Sequence, residues 1–240
     1  MDISVQGSGE AVVIALHGIQ GTSASWRPVA QVLEQSATFH MPNLRGRGGA
    51  LRGRVSADYS LLAFAEDAAA AIRVVLQPGK RYVLAGWSMG VSVALQLLQH
   101  SSVAAPERLI LLSGTSCISE VRWFAEEGEA LQREIQAREQ RLGLKQAADV
   151  EAVAMTWQAL RNTDQRGLLA GIAIPTLVIH GSEDQDCPPS HGRSLAQGIA
   201  NAQLLELQGI GHSVLSEATV QVAQAIEKFL SPISKAGAAV

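Results

Sequence analysis

The stretch LAGWSMG, residues 84–90, sets a serine between two glycines at the end of an apolar run. The run RYVLAGW (81–87) reads as a buried strand, and MGVSVALQLLQHS (89–101) has the apolar spacing of a helix. A tight strand-to-helix turn forces its central residue, Ser88, into a strained backbone conformation. It also crowds the backbone two positions away on either side, where Gly86 and Gly90 carry no side chain. Such a turn lifts the hydroxyl above the sheet and aims a helix N-terminus at it, with the Met89 amide free to donate.

Outward from this turn, short apolar runs alternate with helical patterns. AVVIALHG (11–18), ATFHMPN (37–43), RLILLSG (108–114), PTLVIHG (175–181) and AQLLELQG (202–209) read as further strands, and DISVQGSG as an edge strand. SWRPVAQVLEQ (25–35), SLLAFAEDAAAAIRVVL (60–76), SHGRSLAQGIA (190–200) and EATVQVAQAIEKFL (217–230) read as helices, with Ser60 placed to cap the second. Continuous rather than alternating apolar strands, joined by helices, imply a mostly parallel sheet of about seven strands covered on both faces. Residues 115–171 break the rhythm: they hold charged helical patterns and no convincing strand. The expected organisation is a core of residues 1–114 and 172–231, a helical lid at 115–171 and a frayed tail at 232–240.

With 240 residues, 47% hydrophobic, the chain can bury a sizeable core, and a net charge of −3 gives no reason to expect nucleic acid as a partner. Two cysteines, Cys117 and Cys187, make neither a disulfide framework nor a metal motif. MDISVQGSGE has no basic region followed by an apolar one, and no apolar run reaches membrane-spanning length, so a soluble cytoplasmic setting is the expectation.

A serine hydroxyl is a weak nucleophile until a base takes its proton and a carboxylate orients that base. After a G-x-S-x-G turn the expected chain order is serine, acid, histidine. Asp184 lies three residues past the strand 175–181, with Glu183 and Asp186 as rivals, and His212 follows the strand 202–209. Both sit beyond the carboxyl ends of parallel strands, where ligands bind in open α/β sheets. His40, His100 and His191 fall in a strand, at a helix end and in a helix and read as structural or solvated; His180 precedes Gly181 and reads as packed near the site. LHGIQGTSASW (16–26) supplies a second backbone donor: Gly18 permits close approach and the Ile19 amide points at the oxyanion, with Met89 as its companion.

Four motifs in order, HGIQG, GWSMG, HGSEDQDCPP and GIGH, resemble the α/β-hydrolase fold family over nearly the whole chain. The leading strand, Trp87 before the serine and LRNTDQRGLLAGIAIPTLVIHG look like the pimeloyl-acyl-carrier-protein methyl ester esterases within it. Val91 stands where that family has a second glycine, and PNLRGRGGALRG where it has Pro-Gly-His-Gly-x-Ser. The resemblance implies ester hydrolysis by Ser88, His212 and Asp184 through an acyl-enzyme, with no metal or organic cofactor. Lactonase, C–C bond hydrolase, acyltransferase and perhydrolase chemistry on the same triad are alternatives, as is a ligand-binding protein that kept the fold.

For the pocket, Trp123, Phe124, Met155, Trp157 and Leu160 are candidates to line the roof, or else to pack within the insertion; Gln20 and Trp87 are expected to border the serine. Arg45, Arg47, Arg52 and Arg54, with Arg133, Arg138, Arg141 and Lys145, offer a basic surface for an acidic acyl-carrier partner, the alternative being a solvated loop beside a charge-balanced helix.

Overall fold

The computed structural model describes residues 1–231 apart from residues 78, 101, 102 and 126. The expected tail at 232–240 therefore lies outside the described residues. Seven strands form one sheet: β1 (Ile3–Gln6), β2 (Ala11–Leu16), β3 (Ala37–Pro42), β4 (Val83–Trp87), β5 (Arg108–Leu112), β6 (Thr176–Gly181) and β7 (Ala202–Leu207). Their order is β1-β3-β2-β4-β5-β6-β7, and only β1 runs antiparallel, pairing Ile3 with Pro42. The central register aligns Leu16 with Gly86 and Trp87 with Leu112, which brings the ends of β2, β4 and β5 to one edge.

Side chains alternate across each strand, so every central strand feeds two cores. Ile14, Leu16, Leu84, Leu109, Leu111 and Val178 face the core shared with helices α2 (Leu61–Val75) and α3 (Met89–His100). Val13, Ala15, Ala85, Ile110, Leu112 and Ile179 face the other, covered by α1 (Arg27–Val32) and the C-terminal helices. This double burial explains why these strands read as unbroken apolar runs. Burying one such aliphatic side chain contributes about 1.5–3 kcal/mol. Ser60 caps α2, accepting from the Ala63 amide at 3.3 Å. Ala65, Ala68 and Ala69 are small enough to seat α2 closely on the first core beside α3.

One helix differs from its sequence pattern, and another is preceded by a short helix that the pattern does not show. The helix expected over 25–35 is a 3-10 turn at Ser23–Trp26 followed by α1, which stops at Val32. The turn between β1 and β2 packs there: Ser8 donates to the Glu34 carbonyl, while Ser36 and Ala37 both return to the Leu33 carbonyl. The helix expected over 217–230 is α8 (Thr219–Leu230), and a further short helix, α7 (Val214–Glu217), precedes it, parted from it at Ala218, whose φ of −130° is not helical. The Glu217 carboxylate turns back to accept from the amides of Gly211 and Ser213, which holds the preceding loop.

Between β5 and β6 the chain forms α4 (Gly128–Arg141) and α5 (Val150–Leu160), with short 3-10 turns on either side. The remaining helix, α6 (Pro189–Gly198), crosses from β6 to β7. Leu131, Ile135, Val153, Trp157 and Leu160 make the inserted helices continuous with the first core. Among the described residues no helix is long and apolar enough to cross a membrane.

Candidate active site

Ser88 has a φ of +57°, the left-handed strain that the Gly-x-Ser-x-Gly spacing predicts. Its amide donates to the Leu112 carbonyl at 2.9 Å and its carbonyl accepts from Val91 at 3.0 Å. A β-carbon at Gly86 would meet the Gly90 carbonyl oxygen, and one at Gly90 the Leu16 carbonyl oxygen, each well under 3.0 Å. Backbone, not a yielding side chain, therefore excludes any other residue at both positions. Val91 fits because Gly114 faces it: a β-carbon there would overlap the valine methyl.

His212 lies 124 residues from Ser88 in the chain, and its Nε2 is 2.9 Å from the serine Oγ. Its Nδ1 is 2.9 and 3.0 Å from the two Asp184 oxygens. All three residues are buried. Trp87, under the serine, donates from Nε1 to the His212 carbonyl at 3.1 Å, and its ring lies 5.5 Å from the imidazole. Asp184 also accepts from the amides of Asp186 and Cys187 at 3.0 and 2.8 Å. Burial, the largest single influence on its carboxyl, works against charge; the His212 ring, His180 and the Cys187 amide outweigh it and hold the group well below the usual carboxylate range.

His180 is a supporting residue whose role the sequence left open. Its Nε2 is 2.7 Å from the Cys187 carbonyl, which can only accept, so Nε2 carries the proton; the same nitrogen is 3.4 Å from Asp184. The ring therefore steadies the 184–187 loop from β6.

The second rival acid, Asp186, lies near His212 but is bound by two arginines. Arg138 Nε donates to it at 3.0 Å, and Arg141 holds both its oxygens at 2.9 and 3.2 Å. Burial again opposes charge most strongly, and the Arg138 charge followed by the Arg141 hydrogen bonds keep its carboxyl below the ordinary value. Asp184, Asp186 and His212 offer ligand atoms within 4.8 Å of one another, a spacing that suits a cation. The two guanidinium groups already neutralise Asp186, so the donor set does not fit a metal.

The loop after β2 and the start of α3 both lie at the serine. A β-carbon at Gly18 would stand 3.1 Å from the Ser88 Cβ, so the loop after β2 rests directly against the serine. Among the described residues neither the Ile19 nor the Met89 amide has an acceptor. Met89 opens α3, whose dipole adds positive potential at the same point.

The remaining predicted residues are tied into the structure. Gln20 donates from Nε2 to the Ile135 carbonyl at 2.8 Å, accepts from Arg138 Nη1 at 2.6 Å, and its carbonyl accepts from Ala148. The Trp157 ring centroid lies 5.8 Å from those of Trp123 and Phe124, all three buried with Leu160 in the first core; Met155 is half-buried against that core. A cavity of about 400 Å³ opens beside His212, lined by Arg141, Glu183, Gln185, Asp186 and Ser213.

The arginine-rich loop departs from both expectations at Arg45 and Arg47, which are tied into the structure, while Arg52 and Arg54 are exposed. Arg45 pairs with both oxygens of Asp67, and Arg52 pairs with Asp149. Arg47 is fully buried, donates to the carbonyls of Ile19 and Arg45 and to Thr156 Oγ1, and lies over the Phe64 ring. The glycines on either side, Gly46 and Gly48, take φ of +78° and +50°, which turns the chain inward at that point.

An esterase from Exiguobacterium antarcticum superposes with a TM-score of 0.80 over 95% of this chain and 94% of that one, at 20% identity. The pimeloyl-[acyl-carrier protein] methyl ester esterase of Nitrosospira multiformis is 26% identical over 250 residues, covering 88% of this chain and 92% of its own. The AB hydrolase superfamily protein YisY of Bacillus subtilis is 26% identical over 215 residues, covering 78% and 79%. The family model described as the alpha/beta hydrolase family matches residues 13–225, from β2 into the final helix and through every motif of the site; the chain belongs to that family.

Proposed function

We propose that this protein is a serine hydrolase that cleaves a carboxylic ester through an acyl-enzyme. The observation that carries the reading is the unbroken path from Asp184 through the imidazole of His212 to the Ser88 oxygen, with 2.9 Å at each link. Asp184 accepts from Nδ1–H, which leaves the lone pair of Nε2 facing the hydroxyl. Ser88 attacks the ester carbonyl as His212 takes its proton. The amides of Ile19 and Met89 then stabilise the tetrahedral oxyanion; a donor of this kind contributes about 10²–10³ in rate. His212 returns the proton to the departing alcohol, and water, activated by the same ring, releases the acid.

Residues 115–171 act as a lid over the core of 1–114 and 172–231. The lid is seated and Ser88 is buried, so substrate enters when the lid moves. Its apolar cluster of Trp123, Phe124, Met155, Trp157 and Leu160, now packed in the first core, would meet a small or acyl-chain ester once the lid has moved. The Nitrosospira relative, a pimeloyl-[acyl-carrier protein] methyl ester esterase, supports an ester whose acyl group rides on a carrier protein. The burial and pairing of Arg45, Arg47 and Arg138 leave Arg54, Arg133 and Lys145 as the cations such a partner would meet.

A fluorophosphonate probe and a series of p-nitrophenyl esters of increasing acyl length test this reading. Wild type is expected to label and turn over, and Ser88→Ala to do neither. A folded wild type that neither labels nor hydrolyses any member of the series refutes it.

A further inference from the structure

The inserted helix α4 sends two cations to the loop that carries Asp184, and the reading of Ser88, His212 and Asp184 as a triad gives them no part. Arg138 and Arg141, three residues apart on one helical face, both bind Asp186. Arg138 is a buried guanidinium, stacked 5.6 Å from the Phe124 ring, and its Nη1 reaches Gln20 at 2.6 Å. Asp186 is not remote from the reacting groups. Its carboxylate, that of Asp184 and the imidazole nitrogen of His212 lie within 4.8 Å of one another. One imidazole thus faces two carboxylates, and only one of them serves as its partner.

We propose that Arg138 and Arg141 are positioning residues: by holding the Asp186 carboxylate against α4 they leave His212 paired with Asp184 alone, so the Ser88 hydroxyl is activated only while α4 is seated on the core. This rests on the triad reading above. With α4 lifted, Asp186 keeps its charge beside His212 and loses both counter-ions. The imidazole then binds a proton more tightly and cannot accept one from Ser88. An open lid exposes a resting serine, and closure over substrate arms it.

The other charged and titratable groups around His212 do not substitute for the two arginines. His180, from β6, contacts Asp184. Glu217, from α7, is engaged by the amides of Gly211 and Ser213. Glu183 lines the neighbouring cavity with Arg141. Cys187 is buried and its thiol is pushed up, by burial first and by Asp184 next, so it stays neutral. His191, from α6, sits on Thr115 and is pushed down by burial. A bare carboxylate about 5 Å from an imidazole, at an effective dielectric near 20, raises its titration midpoint by about two and a half pH units, and water admitted to the opened site screens this to about one to two.

The test uses full-length protein labelled with 13C-histidine, so that His212 is followed by NMR whether or not substrate turns over. In the double variant Arg138→Met/Arg141→Met the His212 titration and the acid limb of kcat/KM should both move up by about one to two pH units. Adding Asp186→Asn should return both to within about half a unit of wild type, and Arg138→Lys alone should leave them nearly unmoved. A lost activity with an unmoved titration, or a shift that Asp186→Asn does not reverse, overturns the proposal. Should the double variant fail to fold, Arg138→Met alone replaces it, with roughly half the shift expected and the same reversal required. If His212 titrates as stated while wild type neither labels with fluorophosphonate nor hydrolyses esters, the triad reading falls and the positioning effect stands.

Discussion

Gly18→Ala separates the backbone donor loop from every other part of the site. The added β-carbon would stand 3.1 Å from the Ser88 Cβ and 3.2 and 3.3 Å from two Trp87 ring carbons. Each distance is several tenths of an ångström short of ordinary contact, so one side must yield. Ser88 is pinned by the Leu112 carbonyl and the start of α3, and Trp87 by the His212 carbonyl. The loop of residues 17–22 therefore moves, and the Ile19 amide moves with it. Gly18 does not take a positive φ, so alanine suits its backbone and gains about 0.4–1 kcal/mol from a stiffer unfolded chain. That gain is comparable to the cost of a mild overlap, and net stability should stay within about 1 kcal/mol of wild type. The loss falls on the transition state: a displaced oxyanion donor costs about 10- to 100-fold in kcat, below the ~10²–10³ for outright removal. KM for a p-nitrophenyl ester should change little. Gly171→Ala, with nothing within 4 Å of its new β-carbon, is the control. An alanine at 18 that folds normally and keeps kcat within twofold would show that this loop does not carry the second donor.

Gly90→Ala should fail differently: its β-carbon meets the Leu16 carbonyl oxygen, which belongs to a central strand and cannot retreat, so soluble protein or a measurable melting transition is lost. Recovery of a variant melting within a few degrees of wild type would contradict the crowding. Acid stability should be governed by His17, a fully buried ring pushed down to about 3 by burial first and by Arg47 next, with the Gly18 carbonyl opposing. The fold holds it neutral while the unfolded chain protonates it below about 6.5, so stability is complete above that pH and falls by roughly 1.4 kcal/mol per unit toward pH 3. Asp184, held low in the fold, has the same sign but acts only once the pH drops below the usual carboxylate range. Urea midpoints between pH 7 and 4.5 should therefore slope less in His17→Gln; parallel slopes would refute the assignment.

The sheet, the elbow and the three side chains that meet at Ser88 were legible because each depends on local pattern. Unbroken apolar runs report double burial, and glycine two residues either side of Ser88 reports a turn that only glycine tolerates. Asp184 and His212 follow from their places at strand ends. The polar clamps were not legible, for a physical reason. Arg138 is buried by Asp186, Gln20 and an aromatic ring rather than by an apolar stripe, so α4 reads as a solvated charged helix. Its partner Gln20 is 118 residues away, and nothing in either segment names the other. Arg47 gave one usable signal, an arginine between two glycines with no acid nearby in the chain. That is a hint of a backbone turn, but it says nothing of which way the turn faces. The short helix α7 was not legible because it is a single turn whose Glu217 serves the His212 loop.

Arg47→Met tests whether the inserted helices hold the donor loop. The loop is gripped from two sides: α4 holds Gln20 through Arg138 and the Ile135 carbonyl, and α5 holds the Ile19 carbonyl through Thr156 and Arg47. Arg47 is an unusual grip, since its acceptors are neutral oxygens and among the described residues no carboxylate pairs with it. Burial pulls its guanidinium down to about 10, yet it remains a cation at neutral pH. Methionine removes a desolvated charge, which is favourable, and strands the carbonyls of Ile19 and Arg45, each at about 1–3 kcal/mol. These opposing effects leave net stability close to wild type, while the Ile19 peptide loses the contact that fixes it. The expected result is a melting temperature within a few degrees and a kcat lower by about tenfold or more, with Arg47→Lys intermediate because it keeps the charge without the fork. Equal kcat in Arg47→Met would mean that the loop holds its place without α5, and that closing the insertion and assembling the anion site are separate events.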